Sequence, residues 1–446
     1  MKKRRIGPAC HTPTAAARGV VAGLRVGYCG SPPSTVREPT SLVQTVATSR
    51  EGSGASTALR VALVVAFAHG LTDAYASFVP PLLPRIMDEL SISIAMAATL
   101  TVAFGIAGSL PQPLLGYLAD RFGRRAFTAV GPLVAGVGVA SIAFASTFWG
   151  LIFVLMVAGL GNAAFHPPGA SYAARVGEGK GAGRRYSLFA FGGAAGFAIG
   201  PLAAVWIVQR SGLDGLWVAM IPAVVLAPLI FLGLPSDRDD PHAATLPPPP
   251  GAVLAQLRGP LGLMFGISAT MSFVQRSFLT MEPIIVSEAG GSETLGAVAL
   301  SVYLGAQSFG MVMGGLLADH MSRRTLLVRL CFWALPAHLA AVWLGPTSAL
   351  GLVAIATAGF LGLATLPPIV VMAQESLPSA AGVSSGIVMG LAWATGSVGV
   401  LGTGALADAL GPYPAALLCM PAILIALGLA FHPALEPVVS PPTSGR

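Results

Sequence analysis

The chain has 446 residues, of which 54% are hydrophobic and only 10% charged. Mean hydropathy is +0.76. A soluble domain carries roughly 25% charged residues to solvate its surface, so this composition excludes a water-soluble globule, a disordered chain and a nucleic-acid binder. The net charge of +7 does not restore that last reading, because the basic residues fall in short clusters between apolar blocks. The four cysteines (Cys10, Cys29, Cys331, Cys419) are far apart with no CxxC, so neither a disulfide framework nor a metal-ligand spacing is present.

In chain order, residues 1–57 are basic at the start and then Pro-, Ser-, Thr- and Arg-rich, with no apolar core of a signal peptide. They read as a disordered cytoplasmic extension. Twelve apolar stretches follow, each long enough for the roughly 20 residues a membrane-spanning helix needs: 59–84, 92–118, 126–146, 148–174, 186–209, 213–234, 261–287, 294–317, 325–345, 348–373, 381–407 and 413–432. Segment 235–256, with the run Pro247 to Pro250, is a solvated linker. It divides the helices into six-helix bundles at 58–234 and 257–433, with a tail at 434–446.

Lysine and arginine accumulate in cytoplasmic loops. With the N-terminus inside, the cytoplasmic segments hold 22 of the 25 basic residues. Arg85 and Arg210 fall on the other side, and Arg276 lies within a span. Both termini are therefore expected in the cytoplasm of a multi-pass inner-membrane protein.

The halves repeat. Gly116-Tyr-Leu-Ala-Asp120-Arg-Phe-Gly-Arg-Arg125 lies over Gly315-Leu-Leu-Ala-Asp319-His-Met-Ser-Arg-Arg324 at an offset of 199. Pro167-Pro168 lies over Pro367-Pro368 at 200, and Pro81 over Pro283 at 202. Duplicated six-helix bundles in parallel relation form a transporter architecture with the site between them.

The decapeptide 116–125 sits in the turn between spans 2 and 3. Gly116 lets a helix end pack closely, and Gly123 permits a tight turn. Arg124 and Arg125 anchor the loop inside, a role that leaves Asp120 unexplained. This segment resembles the loop signature of the major facilitator superfamily at every defined position, and the resemblance covers about residues 58–432. It implies an all-helical membrane fold of twelve helices in two pseudo-symmetric bundles. It also implies that Asp120 and Arg121 take part in gating, with Gly116, Gly123, Arg124 and Arg125. Asp319, Arg323 and Arg324 are the weaker second copy, where His320 and Ser322 replace Arg and Gly. His69-Gly-Leu-Thr-Asp73, Gln112-Pro113 and Phe165-His166-Pro167 together resemble the fosmidomycin-resistance efflux branch of that superfamily.

Polar groups inside spans are costly and face the bundle interior. His69 and Asp73 are four apart on one helical face, a carboxylate and an imidazole suited to taking up and relaying a proton, or to a structural hydrogen bond. Offset 202 places Gln275 over Asp73, with Arg276 beside it. Arg276 calls for a partner: Asp73, Glu282 or an anionic substrate group. Glu282 shares a face with Gln275 nearer the outer end, either as a cavity group or as a solvated carboxylate of an outer vestibule. His166 precedes Pro167-Pro168, which are expected to break the helix ladder. Gln307, Gln112 and, more weakly, His338 complete the cavity candidates, and Gly192, Gly193, Gly196 and Gly200 form a small-residue face.

No phosphate-binding G-x-x-x-x-G-K-[ST] occurs, and no nucleophile–base pair or metal cluster stands out. The expected molecule is therefore a secondary transporter, not an enzyme, with no cofactor and no metal. It works by alternating access as a monomer in the lipid bilayer, and protons drive export of a small molecule. Import of a small organic metabolite, and a non-transporting membrane sensor of the same fold, are the other readings.

Overall fold

A computed structural model of the chain describes residues 40–176, 182–236, 257–377 and 381–435, with 251 and 255. The expected linker therefore lies largely outside the described residues, as do residues 1–39 and 436–446. The regular structure described is all helical. The first half contains α1 (Thr40–Ala76), α2 (Val79–Leu90), α3 (Ile94–Ser109), α4 (Gln112–Phe122), α5 (Arg124–Ala140), α6 (Phe148–Val176), α7 (Ala182–Ser211) and α8 (Met220–Gly233). The second contains α9 (Pro260–Glu288), α10 (Glu293–His320), α11 (Arg323–Leu344), α12 (Ala349–Ala364), α13 (Leu366–Ser376), α14 (Ala381–Gly386), α15 (Ala392–Leu410), α16 (Pro412–Cys419) and α17 (Ile423–Ala430). Helical backbone thus begins at Thr40, ahead of the first expected span. The compact body is Ser53–Arg446.

Among the described residues, ten helical stretches are long and apolar enough to cross a bilayer, and the pair α3–α4, bent by 42°, makes an eleventh. The remaining long helix in sequence order is α9. Its 29 residues are enough to cross, at about 1.5 Å rise per residue, but Arg276, Glu282 and a series of serines and threonines make it too polar to qualify on composition. This polar helix is where a transporter of this architecture would need its cavity wall.

Proline explains the breaks. Span 92–118 is interrupted at Leu110–Pro111, where Pro111 and Pro113 remove donors. Gln112 compensates by donating from Nε2 to the Gly108 carbonyl at 2.9 Å, so its side chain is spent inside the bend. In the second half the helix breaks at Thr365, ahead of Pro367-Pro368. The first-half equivalent differs from expectation: α6 runs through Pro167-Pro168 without interruption. Pro167 instead packs on the hydrogen face of Gly116, where an added Cβ would lie 3.1 Å from the proline Cβ.

The repeat is visible in contacts. Arg125 at the start of α5 donates to the Phe231 carbonyl at the end of α8, at 2.6 Å. Arg324 at the start of α11 donates to the Phe431 carbonyl after α17. Each ties the third span of its half to the sixth.

The glycine face of α7 is packed on α1. A Cβ on Gly192 would enter the Ala66 carbonyl, and one on Gly196 the Gly70 carbonyl. Backbone cannot move aside as a side chain can, so these glycines set the α1–α7 distance. Gly196→Leu should cost stability at or above the about 1–3 kcal/mol typical of overpacking. Gly402→Leu, with open space around it, should not. Thermal melting of the detergent-purified variants checks this.

Candidate functional site

The α1–α7 approach places the first polar cluster. Asp73 on α1 is 2% exposed. Its Oδ2 lies 3.1 Å from His69 Nε2, and its Oδ1 lies 3.6 Å from His166 Nε2 on α6. The other imidazole nitrogen of His69, Nδ1, sits 2.9 Å from the Phe189 carbonyl on α7. A carbonyl only accepts, so Nδ1 carries hydrogen and donates to it. The Nε2 to Oδ2 contact then needs a proton of its own, on the imidazole or on the carboxyl. With neither, two lone pairs would face each other at hydrogen-bond distance. A hydrogen bond across this contact thus calls for one proton more than a neutral imidazole and a carboxylate supply.

The surroundings are shaped for this pair. The His69 ring stacks on Phe189 at 4.1 Å between centroids, and Phe165 and His166 approach it at 5.6 and 5.5 Å. Gly193 lies directly against them: a Cβ there would be 2.5 Å from His69 Cε1 and 2.7 Å from Asp73 Oδ2. The spacing of His69 and Asp73 made their contact legible in the sequence. The arrival of His166 at the same carboxylate depends on how α6 packs and was not legible. Phe189, Phe165 and Gly193 also escaped assignment to the site, although Phe165 stands in the Phe-His-Pro stretch and Gly193 in the glycine series.

A second set lies in the other half. Gln275 on α9 donates from Nε2 to Gln307 Oε1 on α10 at 3.0 Å. Gln275 also lines a cavity with Ser268, Ser272, Thr365 and Trp393. Trp393 carried no signal beyond being one tryptophan in an apolar stretch. Arg276 is half-buried, and among the described residues no carboxylate pairs with it, neither Asp73 nor Glu282. Its Nη1 approaches Gly105 on α3, where a Cβ would lie 3.1 Å from Nη1 and 2.6 Å from Ser397 Oγ on α15. Arg276 thus sits where helices of both halves meet. Glu282 is 1% exposed and neither carboxyl oxygen has a hydrogen-bond partner, so it is packed away from solvent, not set in an open vestibule. His338 is fully buried. Nδ1 donates to the Ala334 carbonyl and Nε2 accepts from Tyr303 Oη at 3.0 Å, and the pair lies behind Gly362, a residue of the cavity wall.

The described bonds of Asp120 and Arg121 lie within their own half. Asp120 pairs with Arg124, and Arg121 donates to Tyr117 Oη at 3.0 Å. Gly123, at φ 123°, makes the turn. In the second copy Arg323, the equivalent of Arg124, pairs with Glu375, and Asp319 is exposed. At the 200-residue offset Glu375 answers Arg175. The second half thus offers Arg323 a carboxylate at a position where the first half carries an arginine.

The described side-chain bonds joining the two halves lie away from these Arg-rich loops. Arg85 binds Glu293 through Nε at 2.7 Å and Nη2 at 3.1 Å. Gln209 donates to Thr294 at 3.0 Å, the Ala95 amide donates to Asp408 at 3.2 Å, and Thr101 meets Thr280 at 3.3 Å.

Against known proteins, the profile described as Major Facilitator Superfamily matches residues 65–394. An uncharacterized MFS-type transporter of Bacillus subtilis is 25% identical over 80% of this chain and 89% of its own. The fosmidomycin resistance protein of Escherichia coli is 27% identical over 79% and 88%. A bacterial homologue of the human lysosomal transporter Spinster, solved inward-facing and occupied, superposes with TM-score 0.65 at 15% identity, covering 83% of this chain and 95% of that one.

A cation without a carboxylate partner costs stability inside a membrane protein. Arg276→Met should therefore raise the melting temperature, by a gain on the order of 2 kcal/mol, somewhat below the roughly 2.5–3.5 kcal/mol penalty for a charge at a helix centre because Arg276 is only half-buried. A lower melting temperature would show that the guanidinium has a structural partner.

Proposed function

The chain belongs to the major facilitator superfamily, and on that premise we propose that it is a proton-coupled exporter of a small molecule working by alternating access. The observation that carries the reading is the one-sided joining of the halves. The described side-chain bonds between them cluster around Arg85–Glu293, and the two described ion pairs at the Arg-rich end, Asp120–Arg124 and Arg323–Glu375, each lie within one half. A molecule closed at one end and open at the other is one of the two states that alternating access requires. If the Arg-rich loops are cytoplasmic, as their charge implies, this is the inward-facing state.

In this state substrate enters from the cytoplasm between the halves and meets Gln275, Gln307 and Arg276. Arg276 is a fixed cation with no carboxylate of its own, so an anionic group on the substrate would complete it. The proton held between His69 and Asp73 is the coupling proton. Releasing it leaves a buried carboxylate facing an imidazole lone pair, an unfavourable arrangement, so loss or gain of the proton biases the packing of α1 against α6 and α7. Reversal requires breaking Arg85–Glu293 and its neighbours, while the loop motif around Asp120 closes the other end. Glu282 is a second acidic group for the same cycle.

The relatives' names favour export: fosmidomycin resistance, chloramphenicol resistance and multidrug efflux. A proton symporter for D-xylose shares the fold at TM-score 0.64 and 13% identity, so import remains the second reading. Reconstitution in vesicles with an imposed pH gradient separates them, with fosmidomycin and chloramphenicol as first probes. Wild type should move substrate against its own gradient, outward in the cellular sense. Asp73→Asn should lose gradient-driven accumulation and keep exchange of substrate across the membrane. Unchanged gradient-driven transport in Asp73→Asn removes Asp73 from coupling.

A further inference from the structure

His69, Asp73 and His166 present two imidazole nitrogens and a carboxylate whose donor atoms all lie within 4.8 Å of one another. We propose that this triad is a binding site for a divalent transition-metal ion of the zinc class.

Four observations converge on it. The first is spacing. Metal–ligand distances of about 2.0–2.1 Å in a tetrahedral site place neighbouring donor atoms about 3.3 Å apart. His69 Nε2 lies 3.1 Å from Asp73 Oδ2 and His166 Nε2 lies 3.6 Å from Oδ1, and with one donor atom per residue the three lie within 4.8 Å of one another, so side-chain rotation must draw the wider pairs in around one carboxylate oxygen. The second is orientation. A metal-bound histidine characteristically donates its other ring hydrogen to a carbonyl or carboxylate, which fixes the tautomer and aims the ligand nitrogen. His69 makes that bond to Phe189. The third is an unsatisfied atom: Asp73 Oδ1 is buried with no hydrogen-bond partner. The fourth is access. A Cβ on Gly193 would stand 2.5 Å from His69 Cε1 and displace the pair, and glycine leaves the donors in place. The His166 and His69 side chains are 27% and 14% exposed, which leaves an approach for the ion and an open coordination position for water.

The donor set defines the class. Two imidazoles and one carboxylate suit zinc, cobalt and nickel, whereas magnesium and calcium prefer all-oxygen shells. On binding, the nitrogen lone pairs of His69 and His166 and one oxygen of ionised Asp73 bond to the metal. The proton shared by His69 and Asp73 leaves to solvent. The ion joins α1 to α6, so it also blocks any cycle in which those helices must readjust. The inference concerns binding alone and stands whether or not the chain carries protons.

The test uses tag-free, full-length protein in detergent, with zinc chloride and magnesium chloride compared by thermal melting. Zinc should raise the melting temperature by several degrees, because ligand that binds only the folded state stabilises it, and magnesium should not. His166→Ala should weaken zinc binding by at least about 100-fold, beyond what loss of an outer-shell partner costs. His432→Ala, an exposed histidine elsewhere, should leave it unchanged. No zinc shift in wild type, or a shift that survives His166→Ala and disappears in His432→Ala, overturns the proposal. Should His166→Ala fail to fold, cobalt chloride on wild type decides. Intense visible bands of four- or five-coordinate cobalt, removed by EDTA, support the site, and the weak spectrum of the hydrated ion overturns it.

Discussion

A carboxylate shut away from water needs a cation or a proton beside it, and Asp73 is where this constraint organises the molecule. His69 supplies the partner from one turn earlier on the same helix. Phe189 fixes which nitrogen of His69 can face the carboxyl. Gly193 makes room for both, because α7 lies so close to α1 that a methyl group would enter the pair. The glycine face that looks like simple helix packing is thus also what permits a charged pair in an apolar bundle. Structural close packing and the polar site are one arrangement.

The same economy holds at the loops. Few charges are available, and the described pairs Asp120–Arg124 and Arg323–Glu375 each form within a single half. Arg125 and Arg324 hold their third spans to their sixth by identical contacts, so each half keeps its shape independently. Bonds between halves are fewer and sit toward one end. Rigid halves with a one-sided set of joints suit a motion in which the halves rock as bodies. Arg276 stands apart, a cation at the meeting of the two halves whose partner the protein itself does not supply.

The fold was legible because the membrane imposes a coarse rule. Long apolar stretches that cross a bilayer must be helices, and the Pro-rich polar segment 235–256 is too polar to be a span. The internal repeat needed only residue identities at a constant offset. The site was legible where it is local: His69 and Asp73 share a helical face by spacing alone. It was not legible where it depends on packing. His166 reaches Asp73 across two helices, and its own α6 passes through two prolines that local rules would break. Glu282 and Arg276, six residues apart on α9, have opposite fates, one sealed in and one facing the seam, and nothing in their spacing distinguishes them. Gln112, a cavity candidate by polarity, turns out to repair the helix bend it begins.

Alternating access is the central claim, and distances between spin labels test it most directly. One pair, at Phe122 and Ser322, spans the Arg-rich end. A second pair, at Glu89 and Ser287, spans the end closed by Arg85 and Glu293. The account predicts two populations in lipid bilayers: one with the first distance long and the second short, and one with that relation reversed. Changing pH across the physiological range should shift their ratio. A single fixed distance at both ends under every condition, or distances that lengthen and shorten together, would contradict it.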